Sequence, residues 1–276
     1  MLLEPYTQIK WAYQLHFYIC FRTRWRRGAF GDVKREASLS RLFAEISTHH
    51  DYHPLQHKVY HDHLRCLLSL KPDQSISNVI NKLKSNMSRE FCLEFGLEAP
   101  LWAAGYLARS VGRVRIQAVK EYLANQAEHH GYSARVNPPI FRYRSDQPPV
   151  LRAAHAVFDL TYHLVFATRY RRSLFDSTLG SELVGYTLTV AGKLGFALEE
   201  VSVLPDHVHL LVKLPPKMSI ENCVLSLMNN SQHWLGRHHR TALIRAGVDR
   251  VWQPSAYAGR CAKVTTAIVK SFLQRG

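Results

Sequence analysis

Long hydrophobic runs are absent from this sequence. None of its apolar stretches reaches the roughly 18 residues that a membrane-spanning helix requires. The first residues, MLLEPYTQIKWAY, also lack the basic flank, apolar block and small-residue cleavage site of a secretory signal. We therefore expect a cytoplasmic protein that has no membrane partner.

Cysteine is scarce, and its pattern argues against two kinds of site. The five cysteines are odd in number, scattered along the chain and never in C-x-x-C spacing. A disulfide framework or a cysteine-based zinc site needs paired and regularly spaced cysteines. This distribution fits a reducing compartment.

Acidic residues are few: 21 Asp and Glu stand against 36 Lys and Arg, which gives a formal net charge of +15 and a pI near 9.8. Such an excess is typical of a protein that binds a polyanion, either nucleic acid or an acidic membrane surface. Since no segment is directed to a membrane, we expect a nucleic-acid-binding protein. A hydrophobic content of 46% over 276 residues is enough for one large core or two of ordinary size.

The sequence contains an internal repeat. Three blocks recur in the same order: 17–30 with 162–175, 62–77 with 206–221, and 102–123 with 252–273. In the first pair, FYICFRTRWRRGAF matches YHLVFATRYRRSLF. The period of about 145 residues is too long for a solenoid and typical of one domain. The chain is therefore interpreted as two fused copies of one domain, an intramolecular pseudo-dimer.

Proline pairs mark the boundary between the copies, in the segment NPPIFRYRSDQPPV. We expect a first domain at 1–136, a linker at 137–152 and a second domain at 153–276. The second copy has extra residues around 238–250, which we interpret as a surface loop.

Each copy has the pattern strand, helix, strand, strand, helix, strand. Helical spacing covers 181–198 with a glycine stop at Gly195, and Ser219 is the expected N-cap of the next helix. A last helix is expected at about 260–273. This order predicts an α+β fold with two ferredoxin-like antiparallel sheets, each with helices on one face.

The stretch LPDHVHLLV places two histidines at the start of an apolar strand. Residues i and i+2 of a strand point to the same face, so His207 and His209 project side by side. Two imidazoles on one face can hold one metal ion. A hydrogen-bonded pair of histidines at a strand end is the alternative.

Together, P-D-H-V-H-L-L after Y-H-L-V-F-A-T-R-Y-R-R, then W-x-P-S, resemble the single-tyrosine HUH transposases. These are the transposases of insertion sequences that move as single-stranded DNA and the REP-associated tyrosine transposases. The resemblance covers nearly all of 157–273 and, more weakly, 12–126. It implies homodimers that act on single-stranded DNA with hairpins. In the resembled family, two histidines hold Mg²⁺ or Mn²⁺, and a tyrosine on the terminal helix attacks the phosphate, leaving a 5′-phosphotyrosine and a free 3′-OH.

The two copies differ at the positions that the resemblance marks as metal ligands. The second copy has His207 and His209. The first has His63 followed by Arg65, and arginine is always protonated and offers no lone pair to a metal. We therefore expect only the second copy to bind the ion.

The tyrosine position, four residues after the tryptophan, differs in the opposite sense. The first copy has Tyr106 and the second has Ala256, either natively or through an engineered substitution. Ser110, one helical turn beyond Tyr106, is the candidate third ligand.

Two halves that each lack one component can make one whole site. In this hypothesis Tyr106 meets His207 and His209 across the pseudo-dimer. The opposite, inactive site holds the three remaining residues: His63, Arg65 and Ala256. Independent decay into a protein that only binds single-stranded or hairpin DNA is the alternative.

Several basic residues are candidates for DNA binding, with solvated surface positions as the alternative for each. Six flank an aromatic residue in the repeated turn: Arg24, Arg26, Arg27, Arg169, Arg171 and Arg172. Basic groups beside stacking surfaces suit single-stranded nucleic acid. Lys82 and Lys84 lie on a helix that faces hairpin DNA in the resembled family. The histidine-rich segment 47–63 lacks cysteine partners and is interpreted as a solvated loop rather than a zinc site.

Overall fold

Two mixed β-sheets with helical layers form the described part of the chain, residues 4–112, 141–147 and 150–260 of a computed structural model. The first half contains β2 (His16–Arg22), α1 (Val33–His49), β3 (His53–Tyr60), β4 (His63–Ser69), α2 (Ile76–Phe95) and β5 (Tyr106–Val111). The second half repeats this order with β8 (Thr161–Thr168), α3 (Ser177–Leu194), β9 (Ala197–Leu204), β10 (His207–Lys213), α4 (Ile220–His238) and β11 (Trp252–Arg260). The α+β prediction and the tandem arrangement are confirmed.

Each half completes its sheet with a strand from the other half. The exchanged strands are β1 (Lys10–Tyr13) and β7 (Ala156–Asp159). The first sheet has the order β3-β4-β2-β5-β7, and the second has β1-β11-β8-β10-β9 with one more strand beyond β9. Both exchanged strands run parallel to their neighbours, β11 and β5. The prediction of antiparallel sheets is thus wrong at these edges. Each exchanged strand runs in the same direction as the last strand of the half that receives it.

The strand beyond β9 is β6 (Phe141–Arg144), which lies inside the segment interpreted as a linker. Its Phe141 and Tyr143 are partly buried against the core, and the Nε atom of Arg144 lies 3.3 Å from a carboxylate oxygen of Glu200. The alternation of aromatic and arginine residues supports a half-buried strand. By contrast, β3 occupies the equivalent edge of the first sheet, where no further strand pairs with it within the described residues.

Helix ends follow the expected capping chemistry. Gly195 ends α3 in the left-handed region at φ 75°, and the Ser219 hydroxyl accepts a hydrogen bond from the Asn222 backbone N–H at the start of α4. Two segments predicted as loops are structured. A short helix, α5 (Arg240–Ala246), buries Leu243 within 238–250, and 47–63 contains the end of α1 and the whole of β3. The predicted helix at 260–273 lies outside the described residues.

Several contacts join the two halves. The rings of Phe17 and Tyr162 pack at 6.2 Å, and the Ser77 N–H donates to the Pro216 carbonyl at 2.9 Å. Near the N-terminus, the Tyr6 hydroxyl donates to the Trp252 carbonyl at 2.6 Å. Within the described ranges, no helix combines the length and apolarity needed to cross a membrane.

Candidate active site and nucleic-acid interface

His207 and His209 lie side by side on β10, as the strand spacing predicts. Their ring centroids are 5.0 Å apart, and the residues are only 2% and 4% exposed. On the opposite face of the strand, Val208 and Leu210 are buried in the core, and this burial fixes the register of the strand. Antiparallel pairing with β8 on one side and β9 on the other holds the two imidazoles in the middle of the sheet.

Asp206 orients the first of these rings. Its Oδ1 atom accepts a hydrogen bond from His207 Nδ1 at 2.5 Å, and Arg171 Nε lies 2.8 Å from Oδ2. Burial raises the pKa of the Asp206 carboxyl, but the bond to His207 and the arginine outweigh it and hold the pKa below its ordinary value. The ionised carboxylate therefore fixes the His207 tautomer with a proton on Nδ1, so Nε2 would be the ligating nitrogen.

His163, on the neighbouring strand β8, plays the same part for the second ring. Its Nε2 atom lies 3.0 Å from His209 Nδ1, and the two rings stack at an interplanar angle of 17°. Burial lowers the pKa of His163 to about 4, so this imidazole is neutral near pH 7 and its Nε2 can accept from His209 Nδ1–H. Sequence reasoning missed His163, although it stands in the repeated block and lies one strand away from the histidine motif.

The pair of rings fits a divalent cation. Each imidazole is oriented through Nδ1, which is the arrangement that metal-bound histidines use. Within the described residues, no cluster of three or more His, Cys, Asp or Glu side chains could hold a metal ion. Two imidazole nitrogens are therefore the donors that the described part of the chain brings to this position.

At the equivalent position in the first half, a carboxylate again orients a histidine, but an arginine replaces the second histidine. The His63 Nδ1 atom lies 2.7 Å from Asp62 Oδ1, and Arg26 Nε lies 3.5 Å from the other carboxylate oxygen. Arg65 Nε donates to His63 Nε2 at 3.1 Å. The arginine thus binds the nitrogen through which His63 would ligate a metal ion.

Tyr106 does not lie on a helix. It is the first residue of β5, is 7% exposed, and its hydroxyl forms a 3.0 Å hydrogen bond with Ser77 of α2. It faces the helical layer, whereas His63 and Arg65 project from the opposite face of the same sheet. Burial also raises the pKa of the Tyr106 phenol, which disfavours the nucleophilic phenolate. The expectation of a helix-borne Tyr106 is wrong, because the residues after Trp102 continue the sheet.

Ala256 and Ser110 also occupy strands. Ala256 pairs with Phe166 in β11 and is buried, in register with the position of Tyr106 in β5. Ser110 is fully buried, and its hydroxyl donates to the Thr161 carbonyl at 3.2 Å. Ser110 therefore ties the two halves together, and its expected place one helical turn from the tyrosine is wrong.

The repeated basic turns present exposed aromatic rings. Trp25 is 67% exposed and Tyr170 is 61% exposed, and both have left-handed backbones, with φ of 54° and 58°. The guanidinium groups of Arg24 and Arg27 lie 4.1 and 4.4 Å from the centroid of the Trp25 ring. That of Arg169 lies 4.9 Å from the Tyr170 ring. Each turn thus presents an exposed ring with a guanidinium group beside it, and Arg169 is also paired with Asp249 at 3.2 Å. Exposed rings beside cations are features that bind single-stranded nucleic acid.

The other arginines of these turns differ in their surroundings. Arg26 and Arg171 form ion pairs with the carboxylates that orient the site histidines, so their charge is partly neutralised within the protein. Arg172 is exposed.

Lys82 and Lys84 are not equivalent. Lys82 is exposed on α2. The ammonium group of Lys84 donates to the carbonyls of Ala103 and Ala104, at 2.5 and 3.0 Å, and burial lowers its pKa to about 8. Lys84 therefore braces the segment before β5, which argues against its predicted role in DNA binding.

A sequence model of the family described as "Transposase IS200 like" matches residues 11–126 and again 156–275. The chain belongs to this family. Two matches in one chain confirm that the tandem copies of this family member are two fused transposase-like units.

Two transposases and one solved structure are similar to parts of this chain. The ISDra2 transposase TnpA of Deinococcus radiodurans is 24% identical over 118 residues, which are 43% of this chain and 84% of that protein. The IS200 transposase of Salmonella typhimurium is 30% identical over 69 residues, 25% of this chain. The chain spans 45% of the length of that relative. A crystal structure of a proposed Deinococcus radiodurans transposase is 25% identical, with a TM-score of 0.38, and the match covers 45% of this chain and 96% of the other.

Proposed function

We propose that this family member is a metal-dependent transposase that cuts and rejoins single-stranded DNA at hairpin-forming ends. The observation that carries the proposal is the oriented pair His207 and His209 in the second half. In the first half the equivalent pair is missing, because Arg65 replaces one histidine and binds the other, His63. The net charge of +15 and the exposed aromatic turns supply the affinity for a DNA strand.

His207 and His209 would hold Mn²⁺ or Mg²⁺ through their Nε2 atoms. The cation would act as a Lewis acid that offsets the charge of the scissile phosphate. Asp206 and His163 keep the two rings in the ligating tautomer, and burial of the pair keeps bulk water from competing for the site.

The nucleophile we propose is Tyr122. The block 102–123 aligns with 252–273 without a gap, and in this alignment Tyr122 of the first half is matched to Phe272 of the second. Tyr122 lies outside the described residues, in the segment that corresponds to the predicted terminal helix. Its phenol oxygen would form the bond to phosphorus while the bond from phosphorus to the 3′ oxygen breaks. The products are a 5′-phosphotyrosine and a free 3′-OH, and the reverse step rejoins the strand.

A covalent-adduct assay tests this assignment. A labelled single strand with a hairpin is incubated with Mn²⁺, and the protein–DNA adduct is resolved on a denaturing gel. We expect Tyr122→Phe and His207→Ala to abolish the adduct and Tyr106→Phe, the matched control, to retain it. An adduct formed by Tyr122→Phe would show that another residue is the nucleophile.

A protein that only binds DNA is the second candidate, favoured by the loss of one component from each half. It predicts hairpin binding that persists in chelator and in His207→Ala, with no adduct from the wild-type chain under any metal condition. Adduct formation by the wild type decides against it.

A further inference from the structure

A cavity of about 330 Å³ opens beside the blocked histidine site of the first half. Tyr18 of β2, Arg65 of β4, and Lys58 and Tyr60 of β3 line it. The proposed reaction uses none of these side chains. The cavity lies at the open edge of the sheet, since β3 has no outer strand partner within the described residues.

The walls combine aromatic rings with positive charge. The Arg65 guanidinium lies 4.5 Å from the centroid of the Tyr60 ring, and the Lys58 ammonium lies 5.2 Å from it. Arg65 donates one N–H to His63 and also contacts the buried Cys20 thiol, and the remaining N–H groups of a guanidinium suit a phosphate. No acidic side chain is among the described residues that line the cavity.

The second half shows that these features belong to one copy alone. When the strand registers of the two halves are matched, Tyr60 is equivalent to Leu204 and Lys58 is equivalent to Ser202. Gln56 similarly corresponds to Glu200, which pairs with Arg144 of the covering strand β6. Relative to the second half, the first has gained a ring and a cation and lacks a carboxylate. All three differences favour an aromatic anion.

We infer that this cavity is a second DNA site, which binds one nucleotide of a single strand without metal and without cutting it. One face of the Tyr60 ring stacks on His63, with centroids 4.3 Å apart. Arg65 and Lys58 would contact the phosphate, and Tyr18 and the other face of Tyr60 would supply the surface on which the base stacks. The choice of DNA as ligand rests on the proposed function. The site would hold one part of the strand while another part lies at His207 and His209.

Equilibrium binding in chelator tests this inference. Fluorescence anisotropy measures the affinity of the full chain for a labelled oligodeoxythymidine in EDTA. The double variant Lys58→Ser, Tyr60→Leu introduces the residues of the second half, and we expect it to bind about tenfold more weakly. Lys193→Ser, which removes the same charge from the exposed end of α3, is expected to bind as the wild type does. Tyr60→Phe keeps the ring and should also bind normally.

The outcomes separate this site from the proposed chemistry. A double variant that melts like the wild type and binds like Lys193→Ser overturns the inference, as does a wild-type chain that does not bind the strand in EDTA. Should the wild type form no adduct while binding still depends on Tyr60, the proposed catalysis fails and the binding site stands.

Discussion

His163 shows how one buried side chain can set the chemical state of another. Its pKa is lowered by burial to about 4, so it remains a neutral acceptor for His209 at pH values where an exposed histidine begins to gain a proton. The same position in the first half is Tyr18, where no second histidine needs orienting.

The lowered pKa of His163 predicts that the stability of the protein depends on pH. Because the pKa of His163 is lower in the folded protein than its ordinary value of 6.5, the unfolded chain gains the proton first as the pH falls. The associated stability is complete above that ordinary value and is lost as the pH falls towards about 4, a difference of about 3 kcal/mol. Urea unfolding in chelator should show a weaker pH dependence for His163→Gln than for the wild type.

His233→Gln, at an exposed position of α4, is the matched control and should keep the wild-type dependence. Equal pH dependence in His163→Gln and the wild type would show that His163 is not the group that titrates.

Local spacing predicted one part of the site and failed for another. The period of two along a strand placed His207 and His209 together, because that geometry depends on neighbouring residues alone. Tyr106 was misplaced because the segment after Trp102 forms a strand only through pairing with β2 and β7, which are distant in sequence. The contact between His163 and His209 likewise depends on the pairing of β8 with β10.

At the scale of elements, the two aromatic turns carry a conformational cost. Trp25 and Arg26 in the first half, and Tyr170 and Arg171 in the second, all have positive φ. Such backbones cost about 1 kcal/mol or more for residues other than glycine, and they persist where the surrounding structure imposes them. In both halves the strained turn places a ring in solvent and an arginine on the carboxylate that orients a site histidine.

We expect Trp25→Gly to separate stability from binding. Glycine adopts the left-handed backbone without strain and the lost ring is mostly exposed, so the melting temperature should not fall. Affinity for single-stranded DNA should fall about fivefold or more, because a stacking surface is removed. Thermal unfolding and anisotropy measure the two effects.

Trp25→Phe retains a ring and should bind close to normally. Unchanged affinity in Trp25→Gly would exclude this turn from the DNA interface.

Elements with strong local signals were predictable, and those defined by pairing were not. Gly195 and Ser219 marked helix ends correctly because capping is a local interaction. The strands β1, β6 and β7 are four residues long, too short for a hydrophobic period, and each exists because it adds to an edge of a sheet.

At the scale of the molecule, exchanged strands hold the halves together. β1 of the first half lies in the second sheet, and β7 of the second lies in the first. If the proposed function is correct, this arrangement favours a site completed within one chain, by the proposed nucleophile of one half and the histidine pair of the other. Such a site would hold one covalent DNA end at a time.

Mixing two inactive chains tests this arrangement. Tyr122→Phe lacks the proposed nucleophile and His207→Ala lacks a ligand, so neither should form an adduct. Because the exchanged strands join halves of the same chain, we expect the mixture to be inactive as well. Restored adduct formation would show that sites assemble between chains.

Exchange of strands inside one polypeptide also changes how such a protein can evolve. In a dimer of identical subunits, every mutation of the gene appears twice, so a histidine lost from one active site is lost from both. A fused gene frees each copy from the other. Arg65 could then replace a histidine in the first half while His209 was kept in the second. One half could specialise in holding DNA while the other retained the proposed catalytic site.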